Sequence, residues 1–252
     1  MQIDLTGKTA LVTGASRGIG RSIAEGLAGS GATVAAHFNR SRAEAESLTR
    51  SLGNGSRAFQ ADLADPAACE QLFRDVVQAF EQVDILVNNA GVALKIPHDS
   101  NDDKWLSDWM LTMSINLRAV EHLSRLAIRH FREHGGGRIV NIASRAAFRG
   151  DTPDYMTYAA SKGGVVALTR SIARGFGKAG ICAFVVAPGF VRTDMAQEAI
   201  DEYGEDFVTR DLALGRLTEP SDLAPLVVLL ASGLADHATG TSIDVNAGSY
   251  VR

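Results

Sequence analysis

The sequence predicts an α/β fold built on a parallel β-sheet. Short apolar, β-branched runs alternate with helical patterns along nearly all 252 residues, which is typical of βαβ units. Several runs are apolar throughout, as expected for strands that are buried on both faces. The length suits one α/β domain, and no repeat or Pro/Ser-rich linker divides the sequence. We therefore predict a single domain over residues 1–252.

The pattern defines seven strands and six main helices in alternation. The predicted strands are KTALVT from Lys8, ATVAAHF from Ala32, SRAFQAD from Ser56, DILVNN from Asp84, GRIVNIA from Gly137, ICAFVVA from Ile181 and TSIDVN from Thr241. The predicted helices span residues 18–30, 41–52, 66–82, 103–133, 155–178 and 221–234. Pro66 suits a first helical turn, where a missing N–H costs nothing.

Two stretches depart from simple alternation. In the long fourth helix, Ser100 and Asp103 are expected to form a capping box, and the helix is expected to bend or break before Asn116. The charged segment of about residues 193–218 lacks a strand pattern, so we interpret it as an insertion at the carboxyl edge of the sheet. Such an insertion suits a lid over the substrate.

Composition argues against several functional classes. The formal net charge of −4 is spread without long charged blocks, which gives no reason to expect nucleic-acid binding. No apolar run reaches the roughly 20 residues of a membrane span, and no signal peptide is visible. Cys69 and Cys182 are too few for a disulfide framework, so we predict buried thiols in a cytoplasmic protein.

A glycine-rich turn follows the first strand. TGASRGIG places Gly14, Gly18 and Gly20 between a strand and a helix. Glycines at such a junction allow a tight turn, close approach of a pyrophosphate to the backbone, and close packing of helix on strand. The turn therefore indicates a dinucleotide site.

Further motifs occur in a consistent order. After TGASRGIG come NNAG at residues 88–91, Asn116, Ser144, YAASK at residues 158–162 and PGFVRT from Pro188. Together they resemble the short-chain dehydrogenase/reductase family over nearly the entire chain, and in general look its 3-oxoacyl-carrier-protein reductase branch. The resemblance implies a doubly wound Rossmann fold with seven parallel strands, an NAD(P) cofactor and a homotetramer. It also implies a catalytic tetrad of Asn116, Ser144, Tyr158 and Lys162.

The spacing of Tyr158 and Lys162 agrees with that chemistry. Four helical residues rise only about 6 Å and return to nearly the same face, so the two side chains are neighbours. A phenol with a pKa of about 10 is a poor base at neutral pH, and an adjacent ammonium is expected to lower that pKa. Tyr158 is then the proton donor or acceptor for the substrate oxygen. Tyr155, about 10.5 Å from Lys162 along a helix, is assigned to the substrate pocket or to packing.

The resemblance assigns the remaining roles. Ser144 holds the substrate oxygen, Lys162 also binds the nicotinamide ribose, and Asn116 holds a water that links the lysine to solvent. The full set of expected cofactor-binding residues is Gly14, Ser16, Arg17, Gly18, Ile19, Gly20, Asn39, Arg40, Ser41, Asp62, Leu63, Asn89, Ala90, Gly91, Tyr158, Lys162, Pro188, Gly189, Val191 and Thr193.

The residues after the second strand favour NADP(H) over NAD(H). An acidic residue there would bind the ribose hydroxyls of NAD, but this chain has HFNRS. Arg40 lies where a 2′-phosphate would sit, and Arg17 could flank the same group. Arginine suits phosphate by charge and by its fork of donors.

These features favour an NADP(H)-dependent enzyme that interconverts a ketone and a secondary alcohol, similar to 3-oxoacyl-carrier-protein reductases. A sugar, polyol or cyclic-ketone dehydrogenase and, more remotely, a non-catalytic nucleotide sensor stay open. Trp105, Trp109 and Met110 could shape a substrate entrance or pack in the core. The stripe of Arg125, Arg129 and Arg132 could dock an acidic carrier protein or simply be solvated. We predict no metal site, because His130 and His134 lack a ligand motif.

Overall fold

The computed structural model describes residues 3–97 and 99–251, and its centre is a seven-stranded parallel sheet. The strand order is β3-β2-β1-β4-β5-β6-β7. The strands are β1 (Thr9–Val12), β2 (Thr33–Phe38), β3 (Arg57–Gln60), β4 (Ile85–Asn88), β5 (Gly137–Ile142), β6 (Ile181–Pro188) and β7 (Ser242–Val245). The predicted Rossmann fold, with all seven strands, is confirmed.

The helices follow the predicted alternation. They are α1 (Gly18–Gly29), α2 (Arg42–Leu52), α3 (Pro66–Phe80), α4 (Asp102–Met113), α5 (Ala119–Glu133), α6 (Ala146–Arg149), α7 (Met156–Phe176), α8 (Asp194–Tyr203), α9 (Glu205–Thr209) and α10 (Pro220–Ala231). Pro66 lies in the first turn of α3, as predicted, and Asp65 caps that helix by accepting a bond from the Ala67 N–H.

Alternating strand residues build two cores, one on each face of the sheet. Val12 and Val87 face one side and pack with residues of α1, α2 and α10. Leu11 and Leu86, which alternate with them, face the other side and pack with residues of α3 and α5. Because side chains alternate across a strand, apolar residues at successive positions require cover on both faces. That requirement produces the doubly wound arrangement.

The long fourth helix is interrupted, as expected, but its start differs from the prediction. Ser100 does not cap it. Asn101 is the N-cap, and its Oδ1 accepts a bond of 2.9 Å from the Lys104 N–H, whereas the Ser100 N–H is used in a turn to Pro97. Asparagine fits this role because its extended backbone directs a short acceptor toward the N3 amide. Between α4 and α5 the chain forms one π-helical turn, Ser114–Arg118.

The segment after β6 is tied together at its base. Val191 and Thr218 form an isolated parallel bridge, and the Arg192 N–H donates to the Thr218 carbonyl at 2.9 Å. Between these points α8 and α9 pack over a small cluster that includes Val208, Leu212 and Leu217. The predicted insertion is therefore helical and closed at its base.

The structure agrees with the predictions that the thiols are buried and that no helix spans a membrane, within the described residues. Cys69 and Cys182 are both buried and form no disulfide. Burial raises the pKa of the Cys69 thiol to about 11, so it behaves as a small apolar side chain. Among the described residues, no helix is long and apolar enough to cross a membrane.

His37, at the end of β2, fastens the glycine-rich turn to the sheet. Its Nδ1 accepts a bond of 3.0 Å from the Gly14 N–H, and its backbone carbonyl accepts one of 2.9 Å from Ala15. Its Nε2 lies 3.1 Å from the Ala61 carbonyl, so Nε2 carries the proton and the ring is neutral. Burial lowers the pKa of His37 to about 4, although Ala61 and the Asp62 carboxylate oppose this shift.

We predict that acid destabilises the fold through His37. Between its unfolded pKa near 6.5 and its folded pKa of about 4, the unfolded chain binds a proton that the folded chain does not. The free energy of unfolding should therefore fall as the pH decreases through this window, by up to about 3 kcal/mol. Urea unfolding of the wild type and of His37→Gln, followed from pH 7 to pH 4, measures this effect.

His37→Gln does not titrate and should show a shallower loss. The matched control is His237→Gln, which changes an exposed histidine and should keep the wild-type pH dependence. Equal slopes for His37→Gln and the wild type would contradict the assignment.

Candidate active site

The glycine-rich turn lies where β1 and β4 end side by side. Gly14 has a φ of +63°, and a Cβ there would lie 3.0 Å from the Ala90 Cα. A Cβ on Gly20 would lie 2.2 Å from the Gly14 carbonyl oxygen, so only glycine lets α1 pack this closely on the turn. Ser16 is buried within the same turn.

The start of α1 is suited to an anion. Its first N–H groups have no intrahelical acceptor, and no side chain caps them. These donors and the helix dipole together fit a pyrophosphate, so the residues present agree with a bound dinucleotide. Gly18 and Ile19 begin the helix, and Gly18 approaches Thr193. Arg17 is directed to the α8 side, where its Nη1 lies 2.6 Å from Asp194 in an exposed ion pair.

The end of β2 carries the residues that were expected to choose the cofactor. Asn39 and Arg40 are exposed, and Ser41 is half-buried. The Arg40 guanidinium forms no hydrogen bond or ion pair with another described residue. Arg42 was missed by the sequence reasoning. Its guanidinium stacks 5.4 Å from the Phe38 ring centroid and donates to Gln60, which fixes the surface beside Arg40.

The residues after β3 and β4 lie with the glycine-rich turn at the carboxyl edge of the sheet, where the strand order reverses and a crevice is expected. Asp62 is exposed, and its carboxylate accepts a bond from Ala64, while Leu63 is buried. Asn89 donates from Nδ2 to the carbonyls of Thr13 and Gly14 at 2.9 and 3.2 Å. The Asn89 side chain therefore ties β4 to the glycine-rich turn.

Asn116 lies on the π-helical turn and is fully buried. Its Oδ1 accepts from the Val92 N–H and its Nδ2 donates to the Val92 carbonyl, both at 2.8 Å. Nδ2 also contacts Ser161 at 3.1 Å, and the Ser161 hydroxyl donates to the Tyr158 carbonyl. The Asn116 amide thus links the loop after β4 to α7.

Ser144, Tyr158 and Lys162 line one pocket of about 480 Å³ at the carboxyl ends of the strands. Ser144 follows β5, and α7 carries the other two side chains one turn apart. The Lys162 Nζ lies 5.9 Å from the Tyr158 ring centroid and donates to the Ile142 carbonyl at 2.9 Å. A Cβ on Gly91 would lie 3.3 Å from that Nζ and 3.2 Å from Asn116 Oδ1, so glycine there leaves the lysine accessible.

The pKa of Tyr158 corrects one expectation. Burial raises this pKa, while hydrogen bonding by the Ser144 hydroxyl lowers it and the Asp151 carboxylate raises it. The predicted net lowering of the Tyr158 pKa is therefore not found, because burial is the largest effect on this phenol. Burial lowers the pKa of Lys162 to about 8.

The pocket collects part of the predicted set. The expected site residues that line it are Ile19, Asn89, Gly91, Ser144, Tyr158, Lys162, Pro188, Gly189, Val191 and Thr193. The other expected residues do not occur among its described lining residues: Gly14, Ser16, Arg17, Gly18, Gly20, Asn39, Arg40, Ser41, Asp62, Leu63, Ala90 and Asn116. Tyr155 lines the pocket, in agreement with its assignment.

The tryptophans of α4 do not form the entrance considered above. The described residues that line the pocket do not include Trp105, Trp109 or Met110. The two indole rings stack on each other 6.4 Å apart, and Trp105 and Met110 are exposed. Trp109 is half-buried, and none of the three belongs to a described core cluster.

Sequence reasoning missed several residues of the site. His37 could have been noticed as a polar residue in an apolar strand, and Arg145 as a charge next to Ser144. Phe190 and Phe207 also line the pocket, from the segment after β6. Phe190 lies within the PGFVRT motif, which could have indicated it, whereas Phe207 had no signal because its position depends on how the segment folds back.

Comparisons with known proteins agree with this geometry. A family model described as enoyl-(acyl carrier protein) reductase matches residues 14–250. The chain is 37% identical to the 3-oxoacyl-[acyl-carrier-protein] reductase FabG of Haemophilus influenzae, over 98% of this chain and 100% of that protein.

Solved structures are equally similar. A short-chain dehydrogenase of Burkholderia cenocepacia J2315 in complex with NADP has a TM-score of 0.90 and 36% identity, covering 97% of this chain and 98% of that one. A protein of Beutenbergia cavernae described as an NAD(P)-dependent gluconate 5-dehydrogenase, with NADP bound at low occupancy, has a TM-score of 0.90 and 35% identity, covering 99% of both chains. Sequence, fold and site geometry agree, and the chain belongs to the short-chain dehydrogenase/reductase family of oxidoreductases.

Proposed function

We propose that this protein is an NADP(H)-dependent oxidoreductase that interconverts a ketone and a secondary alcohol. The observation that carries the proposal is the convergence of Ser144, Tyr158 and Lys162 on one pocket beside the glycine-rich crevice. When bound, the nicotinamide supplies or accepts the hydride. The protein binds and orients the substrate and the cofactor, and its side chains transfer the proton.

Ser144 and Tyr158 would both donate hydrogen bonds to the substrate oxygen. As the carbonyl carbon gains hydride, the Tyr158 phenol transfers its proton to that oxygen, and in the opposite direction it removes the proton from the alcohol. Burial raises the pKa of Tyr158, so the phenol keeps its proton at neutral pH and can act as the acid in reduction. Oxidation should require a higher pH.

Lys162 would return the proton. Its pKa of about 8 lets it give and take a proton near neutral pH, unlike an ordinary lysine. Asn116 would support this step by holding a water that links the lysine to solvent, while its side chain fixes the loop after β4. The segment of residues 193–218 would act as a lid over the substrate.

The choice of NADP(H) rests on the end of β2. No acidic residue is present between His37 and Arg42, and Arg40 has a solvent-facing guanidinium. Complexes of two similar proteins with NADP support this preference. Asn39, Arg40 and Ser41 would hold the 2′-phosphate.

Two substrate classes have specific support. The similarity to FabG and the exposed stripe of Arg125, Arg129 and Arg132 favour an acyl thioester on a carrier protein. The similarity to a gluconate 5-dehydrogenase favours a polyhydroxy acid. Assays with 3-oxoacyl thioesters and with oxo sugar acids separate them, and no turnover of any thioester would remove the first class.

Assembly and location stay predictions. The family resemblance favours a homotetramer, and the exposed apolar face of α4, formed by Trp105, Leu106, Met110 and Leu111, is suited to burial against another copy. A cytoplasmic location is consistent with two buried free thiols.

We predict that Tyr158→Phe abolishes catalysis but not cofactor binding. The variant lacks the transferable proton, so turnover measured by NADPH absorbance should fall by about 10²–10⁴-fold. NADPH affinity should change less than about threefold, because no phosphate contact is lost. The matched control is Tyr155→Phe, and an equally large loss in that variant would contradict the choice between the two tyrosines.

We predict that Arg40→Ala weakens NADPH binding by about 10–100-fold and leaves NADH binding unchanged. The expected loss is that of charge-assisted bonds to a 2′-phosphate, which NADH lacks. Fluorescence titration with both cofactors measures it, with Arg50→Ala, an exposed arginine farther along α2, as control. A wild type that binds NADH more tightly would refute the preference.

We predict that Lys162→Met stabilises the protein while removing activity. At pH 7 the folded protein holds a buried ammonium whose pKa is lowered to about 8, so methionine should raise the free energy of unfolding by about 1–3 kcal/mol. Between pH 8 and 10.5 the unfolded chain binds more protons than the folded one, so the wild type should gain stability and the difference should shrink.

Denaturant unfolding at pH 7 and pH 9.5 tests this expectation. Lys178→Met replaces an exposed lysine and should show neither effect. A Lys162→Met variant that is less stable than the wild type at pH 7 would show that the bond to Ile142 outweighs the burial of charge.

A further inference from the structure

Arg145 is a buried cation in the wall of the pocket, and the proposed reaction does not use its charge. It directly follows Ser144, and its backbone N–H donates to the Pro188 carbonyl at 2.8 Å. Only 7% of the residue is exposed. The guanidinium carbon lies 4.8 Å from the Phe190 ring centroid, so the cation is stacked on an aromatic face.

The buried guanidinium lacks a counterion. Its Nη1 is buried and has no hydrogen-bond partner, and no described acidic residue lies within ion-pair distance of the group. Arg138 shows the usual arrangement, since it donates two bonds of 3.1 and 2.7 Å to Asp236. A buried charge without a partner costs stability, because desolvation is not compensated.

The surroundings make the site more positive. Arg149 also lines the pocket, and together with burial it lowers the pKa of Arg145, against the weaker opposing effects of Asp151 and Asp211. Asp154 is paired with Lys95 at 3.9 Å, so its charge is already balanced. An anion that entered the pocket would relieve the uncompensated charge.

We propose that Arg145 binds an oxyanion of the substrate, a carboxylate or a phosphate, in the same pocket in which Ser144 and Tyr158 hold the carbonyl. The substrate is then an anionic ketone or alcohol, and this inference rests on the proposed function. The planar fork of arginine matches both oxyanions, and stacking on Phe190 fixes its orientation. Arg145 is a specificity-determining residue and takes no part in the proton transfer.

Binding to the protein loaded with NADP⁺ tests the proposal without turnover, because an oxo compound cannot be reduced there. Calorimetry would compare two matched pairs of small ketones: four- to six-carbon 3-oxo acids with their methyl esters, and hydroxyacetone phosphate with hydroxyacetone. We expect at least a tenfold preference for the anionic member of one pair. A preference in the first pair assigns a carboxylate, and one in the second assigns a phosphate.

Two variants separate recognition from packing. Arg145→Met should abolish the preference by weakening only the anionic member about 10–100-fold, and Arg145→Lys should keep part of it. Neither variant should unfold the protein. Arg145→Met removes an unpaired buried cation, and Arg145→Lys replaces it with another cation, so no compensated charge is lost. Thermal melting of both variants checks this. A purely structural role beneath Phe190 would weaken both members equally.

The outcomes distinguish this proposal from the proposed function. Equal or undetectable binding of both members of each pair overturns the role of Arg145, even where NADPH-dependent reduction of neutral ketones occurs. An anion preference that Arg145→Met removes supports the role, even where no turnover is found. Only turnover and its loss in Tyr158→Phe bear on the oxidoreductase function.

Discussion

The parallel pairing of β1 with β4 is the interaction on which the site depends. The strand order reverses there, since β2 and β3 lie on one side and β5, β6 and β7 on the other. The chains therefore leave β1 and β4 in opposite directions, and a crevice opens above their carboxyl ends. Thr13 and Asn89 lock the two ends together through two bonds of 2.9 Å. The glycine-rich turn and the pocket are both built on this fixed edge.

Burial of polar groups is the second constraint, and the site uses it three times. His37 is held neutral to fasten the glycine-rich turn, Lys162 is held with a lowered pKa, and Arg145 is held without a counterion. Each arrangement costs stability that the two apolar cores must offset. A site of this kind is pre-organised, because its charges are already desolvated before any substrate arrives.

Sequence patterns predicted the sheet and the order of its elements because both depend on local periodicity. The cap at Asn101 was missed, since SNDD offers several oxygen acceptors and only the backbone angles select one. The π-helical turn at Asn116 was expected only as a bend, because its form depends on bonds to Val92, 24 residues away. The pKa of Tyr158 is raised and not lowered as predicted. The spacing on a helix shows that Tyr158 and Lys162 are neighbours, but it does not show that Tyr158 is buried. Arg145 was overlooked for the same reason: an unpaired cation is recognised only when all its neighbours are known.

The bridge between Val191 and Thr218 has a consequence for how such a protein can change. Because both ends of the intervening segment are fixed side by side, its closure is already provided by the sheet, and each doubling of its length would cost only about 0.6 kcal/mol of chain entropy. Insertions and deletions between these two residues can therefore be tolerated without disturbing the strands. Descendants of one ancestral chain could diversify in what they accept by exchanging this single stretch, while the hydride chemistry beneath it is inherited unchanged.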